Sequence, residues 1–230
     1  MFYRKGELTG VLQPKGRALC HIDKPLPVRY NIKISILGGG GLEQNQVEIY
    51  DSTLRDGAQG EGVSFSVEDK LHIVSLLDAL GVSVIEAGNP ASNPKDIEFF
   101  HRVAQQPLSR ARLAAFGATR RKGASPDRDA GLLALASAGV GTVALFGKSS
   151  PMQVKDILGA SLEENLRMIE QSCAFLKARG KEVIFDAEHF FDGCRVEENY
   201  AMQTLLAAVR GGADKVCLCD TNGGAFPDDI

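Results

Sequence analysis

The stretch Tyr50-Asp51-Ser52-Thr53-Leu54-Arg55-Asp56-Gly57-Ala58-Gln59 closes a short apolar run and opens a turn dense in acid, hydroxyl and cation. The run at 47–51 has strand length, and the polar cluster stands where that strand would end. Downstream, Ser66 is placed to cap a helix whose Val67, Leu71, Val74, Leu77 and Leu80 share one face. Gly81 supplies a stop. A second apolar run at 83–87 follows at once, ending in Glu86 and then Gly88-Asn89-Pro90. Strand, polar loop, helix, strand is one βα unit, which implies parallel pairing through a right-handed crossover.

The same unit recurs outward from that stretch. Strand-like runs lie at 112–116, 142–146, 182–188 and 215–219, with amphipathic segments between them. Asn93-Pro94 opens one helix with proline at its first position, where a missing N–H costs nothing. Ser161 and Glu164 have capping-box spacing ahead of Leu162, Leu166, Ile169, Cys173 and Leu176, and Gly180 ends that helix. Leu80-Gly81-Val82, Ala138-Gly139-Val140 and Gly212-Ala213-Asp214 each lead from a helix into a strand. Alternation at this spacing suits a doubly wound sheet or a β/α barrel, and periodicity alone leaves both open. A closed barrel takes eight units, and six fit between Val47 and Ile230.

Composition narrows the function classes. Net charge is −3, so no global basic field favours nucleic acid or an anionic membrane, and no apolar run nears the roughly 20 residues of a membrane span. The start of the chain lacks the pattern of a secretory signal, and Glu7 and Asp23 interrupt the basic residues of any transit sequence. Five cysteines in 230 residues do not form a disulfide framework, which points to a reducing, cytoplasmic setting. Cys217 and Cys219 sit in an apolar run and read as strand packing rather than half a zinc site. Residues 1–46 carry no sustained periodicity and read as an irregular extension that the barrel does without. Gly38 to Gly41 form a flexible connector, since no helix start follows to receive a phosphate.

Function in either architecture collects at the C-terminal ends of the strands. The polar residues found there include Asp51, Arg55, Asp56, Gln59, Glu86, Lys148, Asp186, Glu188, His189, Asp220, Thr221 and Asn222. Such carboxylates can hold a hard divalent cation, and an arginine beside them can hold a carboxylate or a developing oxyanion. Asp186 and Glu188 face one way on their strand and His189 the other. Plainer readings compete: Arg55 with Asp56 as a rim ion pair worth about 0–1 kcal/mol, and 220–224 as an ordinary turn.

The run from Tyr50 to Gln59 resembles the D-x-T-L-R-D-G-x-Q signature of the acyl-CoA Claisen synthases, which make isopropylmalate, homocitrate and citramalate. Residues 61–70, Ser92 to Asp96, Phe146 to Ser149 and Asp186 to Gly193 are similar to the citramalate branch. The resemblance runs from Val47 to Ile230. It implies an α/β fold, a TIM-type (β/α)8 barrel represented through about six βα units, in 47–230. It further implies condensation of acetyl-CoA with a 2-oxo acid, pyruvate first, with a divalent metal (Mg, Mn or Zn). Arg55 would hold and polarise the 2-oxo acid, Asp56 would ligate the metal, and Glu188 would be a catalytic or orienting acid. Gln59 and Glu86 would support the pocket, and Thr221 would bond the substrate carboxylate. A homodimer is implied for the full-length protein. The family's H-x-H metal pair is not among His21, His72, His101 and His189, so the expectation is an incomplete site with two open sheet edges. Isopropylmalate or homocitrate synthase, a lyase or aldolase on the same barrel, and an inactive fragment are the alternative readings.

Overall fold

Local signals set the elements of the computed structural model, which describes residues 2–4, 47–226 and 228. Ser66 accepts the Asp69 N–H at 3.1 Å and Asp69 returns a bond to the Ser66 N–H at 2.8 Å, opening α1, Val67–Leu80. Gly81 ends it at φ 93°, a left-handed turn that a Cβ would strain. Asn93 caps α2, Pro94–Val103, with proline in its first turn, and Asp129 caps α3, Ala130–Ser137. The helices α4, Pro151–Asp156, α5, Leu162–Lys177, and α6, Phe190–Arg210, complete the outer layer. The last is broken at Glu197, where φ −154° and ψ 84° interrupt the helix.

Two expectations about these helices need correction. Ser161 caps α5, but Glu164 does not complete a box; its carboxylate turns to Arg120 and Arg167, both at 2.9 Å. A guanidinium offers a stronger, charge-assisted bond than the cap N–H. Leu80, placed on the buried face of α1, is exposed, because it is the residue at which the chain turns away from the core.

The strands are β1, Phe2–Arg4; β2, Tyr50–Asp51; β3, Val84–Gly88; β4, Arg112–Ala118; β5, Thr142–Lys148; β6, Glu182–Glu188; and β7, Lys215–Leu218. From β2 to β7 neighbours pair in parallel and in sequence order, which is six strands of a β/α barrel wall. The fold class is therefore α/β, a partial TIM-type barrel. The outer edge of β7 is not open as expected: β1 pairs with it antiparallel, Phe2 opposite Cys217 and Arg4 opposite Lys215. Backbone donors on an edge strand find a partner wherever the chain can reach them. The glycine run at 38–41 and the rest of 5–46 lie outside the described residues.

Strand alternation sorts the two faces. Ile85, Ala87, Leu113, Ala115, Val143, Leu145, Val183, Phe185 and Ala187 pack outward under the helices in the main core. Val84, Ala114, Ala144 and Ile184 form an inner cluster with Tyr50, Phe116 and Cys217. At the N-terminal end of the wall, Lys215 reaches Glu48 and, at 3.2 Å, Glu182, while Arg112 joins both acids at 3.0 Å. This lattice of charges plugs the end of the barrel opposite the rim and reads as structural. Gly193 lets α6 lie on the chain after β5, since a Cβ there would stand 2.4 Å from the Ser149 carbonyl oxygen.

Candidate active site

Arg55 stands at the end of β2 because the chain there turns back on itself. The Ser52 carbonyl accepts the N–H groups of Arg55, Asp56 and Gly57 at 3.1, 2.8 and 3.2 Å. Asp51 braces the turn, accepting the Thr53 N–H and hydroxyl, both at 3.0 Å. The Arg55 guanidinium is then gripped from three sides. Its Nε donates to Glu86, its Nη1 meets Asp56 Oδ1 at 3.0 Å, and its plane lies 4.0 Å from the Phe116 ring centroid. Phe116 stacks in turn on Phe146 at 5.0 Å. Among the described residues Nη2 donates no hydrogen bond, so that donor is uncommitted.

Glu86 is fully buried and takes both the arginine and the Tyr50 hydroxyl. Burial raises its pKa and outweighs the lowering by Arg55; Glu86 in turn raises the pKa of Arg55. Burial also pushes the Tyr50 phenol far up, with the Glu86 and Asp186 charges adding to it, so Tyr50 is a fixed donor. Asp186, on the neighbouring inward face of β6, is raised well above the carboxylate range by burial and the nearby Cys217 and Glu86.

Across the rim, Glu188 pairs with Lys148 at 2.6 Å, linking the ends of β5 and β6. His189 follows at φ 56°, the one non-glycine residue with positive φ among those described. A left-handed non-glycine residue costs on the order of 1 kcal/mol and persists where the surroundings impose it. Here Thr221 imposes it: its hydroxyl accepts the His189 N–H at 2.9 Å, while Asp192 takes His189 Nδ1 at 3.0 Å and Asn222 at 2.6 Å. Asp220 closes its own loop, accepting the N–H groups of Gly224 and Ala225.

Of the residues singled out from sequence, Arg55, Asp56 and Glu86 are in direct contact. Glu188 is tied to Lys148, and Thr221 to the backbone after β6. Gln59 stays on an exposed short 3-10 turn, Gly57–Gln59, and its side chain bonds to none of these residues. Tyr50 and Phe116 escaped the sequence reading. Two-residue alternation from Glu86 and Asp186 across the parallel strands would have found them on the inward face. A cleft of about 700 Å³ between the segment after β4 and α5 contains none of the expected site residues.

The site offers a metal one exposed carboxylate. Asp56 Oδ2 accepts no hydrogen bond among the described residues, and its side chain is 62% exposed. That suits a hard divalent cation that keeps several waters and takes few protein oxygens.

A parallel β/α wall whose acids and cation gather at the C-terminal strand ends defines a barrel protein with its site on that rim. The chain belongs to the HMGL-like family, whose family model matches residues 46–230. That family is metal-dependent in general. The chain is 48% identical over 184 residues to the (R)-citramalate synthase of Geobacter sulfurreducens, and 50% identical over 185 to that of Aquifex aeolicus. Each match covers 80% of this chain and 35% of the relative, so the chain spans about a third of the length of these relatives. A 2-isopropylmalate synthase of Rhodopseudomonas palustris is 32% identical, with 81% of this chain and 34% of the relative covered. In fold, the chain is similar to hydroxymethylglutaryl-CoA lyase from Pseudomonas aeruginosa: TM-score 0.61, 24% identity, 78% of this chain and 59% of that one. No described helix is long and apolar enough to cross a membrane.

Proposed function

We propose that the protein carrying this chain condenses acetyl-CoA with pyruvate and water, releasing (R)-citramalate and CoA. The observation that carries the reading is the arrangement at Arg55: a guanidinium fixed by Glu86 and Phe116, its Nη2 uncommitted, beside an exposed Asp56 carboxylate. High identity to (R)-citramalate synthases supports pyruvate over larger 2-oxo acids.

In this reaction a carbon–carbon bond forms between the acetyl methyl carbon and the keto carbon of pyruvate. The methyl group gives up a proton, the keto oxygen ends as a hydroxyl, and water cleaves the thioester to a carboxylate and the CoA thiol. Arg55 donates through Nη2 to the keto oxygen as negative charge develops there, and stays charged throughout. Glu86 is a positioning residue, acting through Arg55. Thr221 accepts from His189 and still has its own O–H to donate to the substrate carboxylate. Glu188, held by Lys148, orients the substrate and is the acid nearest to hand for proton transfer on that side. Gln59 is assigned a supporting role in the pocket on family likeness alone. Asp56 would hold Mg²⁺, Mn²⁺ or Zn²⁺, which when bound supplies Lewis-acid polarisation. The same reading makes the whole protein a cytoplasmic homodimer, on family likeness alone, with 47–230 as its catalytic barrel segment and 1–46 as an extension whose Phe2–Arg4 strand pairs with β7.

The test is thiol release by the full-length protein with acetyl-CoA and a panel of 2-oxo acids. Preference for pyruvate is expected. Preference for 2-oxoisovalerate or 2-oxoglutarate would reassign it as an isopropylmalate or homocitrate synthase. No release with any of them would overturn the reading.

A further inference from the structure

Three ligating groups that this reaction leaves idle converge on the inner face of β6 and β7. Asp186 stands opposite Cys217 in the parallel ladder, and Cys219, two residues on, faces the same way. The two sulfurs are 3.9 Å apart, and a carboxylate oxygen of Asp186 lies within 4.8 Å of both. Asp186 is 8% exposed and accepts no hydrogen bond among the described residues. A buried carboxylate without a bonded donor is costly, and in folded proteins such groups are paired or bind metal. Arg55 is the nearby cation, but its Nε and Nη1 are committed to Glu86 and Asp56.

We propose that Asp186, Cys217 and Cys219 form a site for a thiophilic divalent cation of the Zn²⁺ type, distinct in its ligands from Asp56.

The spacing matches such an ion. Two thiolates about 2.3 Å from a tetrahedral zinc lie about 3.8 Å from each other, against the 3.9 Å found. A disulfide fits less well. It needs its sulfurs about 2.05 Å apart. Residues two apart on a strand also have Cα atoms roughly 6.6 Å apart, near the upper limit for a bridge. Sulfur donors select a soft or borderline ion, whereas Mg²⁺ and Mn²⁺ prefer oxygen, so the two sites sort cations by chemistry. Two thiolates and a carboxylate carry three negative charges; a divalent ion leaves one, which faces Arg55. Three protein ligands leave a fourth position for water or a substrate atom.

The experiment titrates the 230-residue chain, carrying Cys20→Ser and Cys194→Ser, with Cd²⁺ alone. The thiolate-to-cadmium ultraviolet band is read, and metal is counted against a chromophoric chelator. Cys173 remains but is fully buried, and burial pushes its thiol up to about 12, so it stays inert. The expected result is one Cd²⁺ per chain with the band present, displaced by Zn²⁺. Cys217→Ser or Cys219→Ser should weaken binding roughly 100-fold or more, beyond the loss typical of an outer-shell change, and Asp186→Asn should weaken it by at least 10-fold. Asp56→Ala should leave band and affinity unchanged. No band from a cooperatively melting chain would overturn the proposal, as would a band that survives both serines or disappears with Asp56. Should the serine background fail to melt cooperatively, the unmodified chain against Cys217→Ser decides by the same readout.

Discussion

Replacing Glu86 by alanine removes the group that fixes Arg55, and the structure sets how much this should cost. Glu86 is fully buried, and its two oxygens take the Arg55 Nε and the Tyr50 hydroxyl. Alanine removes the carboxylate that the Tyr50 hydroxyl donates to and leaves the guanidinium, 22% exposed, with Asp56 as its ion pair and Phe116 as its ring contact. Asp56 is 62% exposed, so that remaining pair contributes under about 1 kcal/mol. Removing one partner of a buried pair costs about 3–5 kcal/mol, and the partial exposure of Arg55 places this case near 3. At about 2–4 °C per kcal/mol for a domain of this size, the melting temperature should fall roughly 6–12 °C. Glu86→Gln retains an acceptor for Arg55 and an amide for Tyr50, so it should show about half that shift. Melting curves followed by circular dichroism would measure both, with Arg55→Met closing a double-mutant cycle. The cycle should give a coupling of about 1.5 kcal/mol or more. A Glu86→Ala melting point within about 2 °C of the parent, or additive single changes, would refute the claim that this carboxylate holds the arginine.

Three further outcomes are expected. In the full-length protein Arg55→Lys should lower kcat by about 100-fold with little change in metal affinity, since a point ammonium cannot span Glu86, Asp56 and Phe116 together; Asp56→Ala should lower both, as steady-state rates and metal titration would show. Asp186→Asn should raise the melting temperature at pH 8 but not at pH 4: the folded pKa is raised above 3.8, so as pH climbs the unfolded chain loses this proton first and the folded state loses stability. A pH-independent difference would contradict that. Gly193→Ala should destabilise by about 2 kcal/mol or more in a denaturant melt, because its Cβ would collide with the Ser149 carbonyl.

Much of this protein was readable before any coordinates. Apolar runs at 30 to 40 residue spacing, Ser66, Asn93 and Ser161 at helix starts, and Gly81 and Gly180 at helix ends are local signals, and local signals survive in one dimension. So did the grouping of acids and Arg55 at strand ends, since a strand's end is visible in its own sequence. The partners were not. That Glu86 would reach back 31 residues to Arg55, that Lys148 would take Glu188, and that Glu164 would leave its cap for Arg120 depend on which strands and helices become neighbours. Sequence also set Cys217 and Cys219 aside as packing, because the third ligand of the proposed site, Asp186, lies on another strand. Strand periodicity fixes which face a side chain occupies; only the parallel register between β6 and β7 places a carboxylate opposite two thiols, and register is a property of the folded sheet.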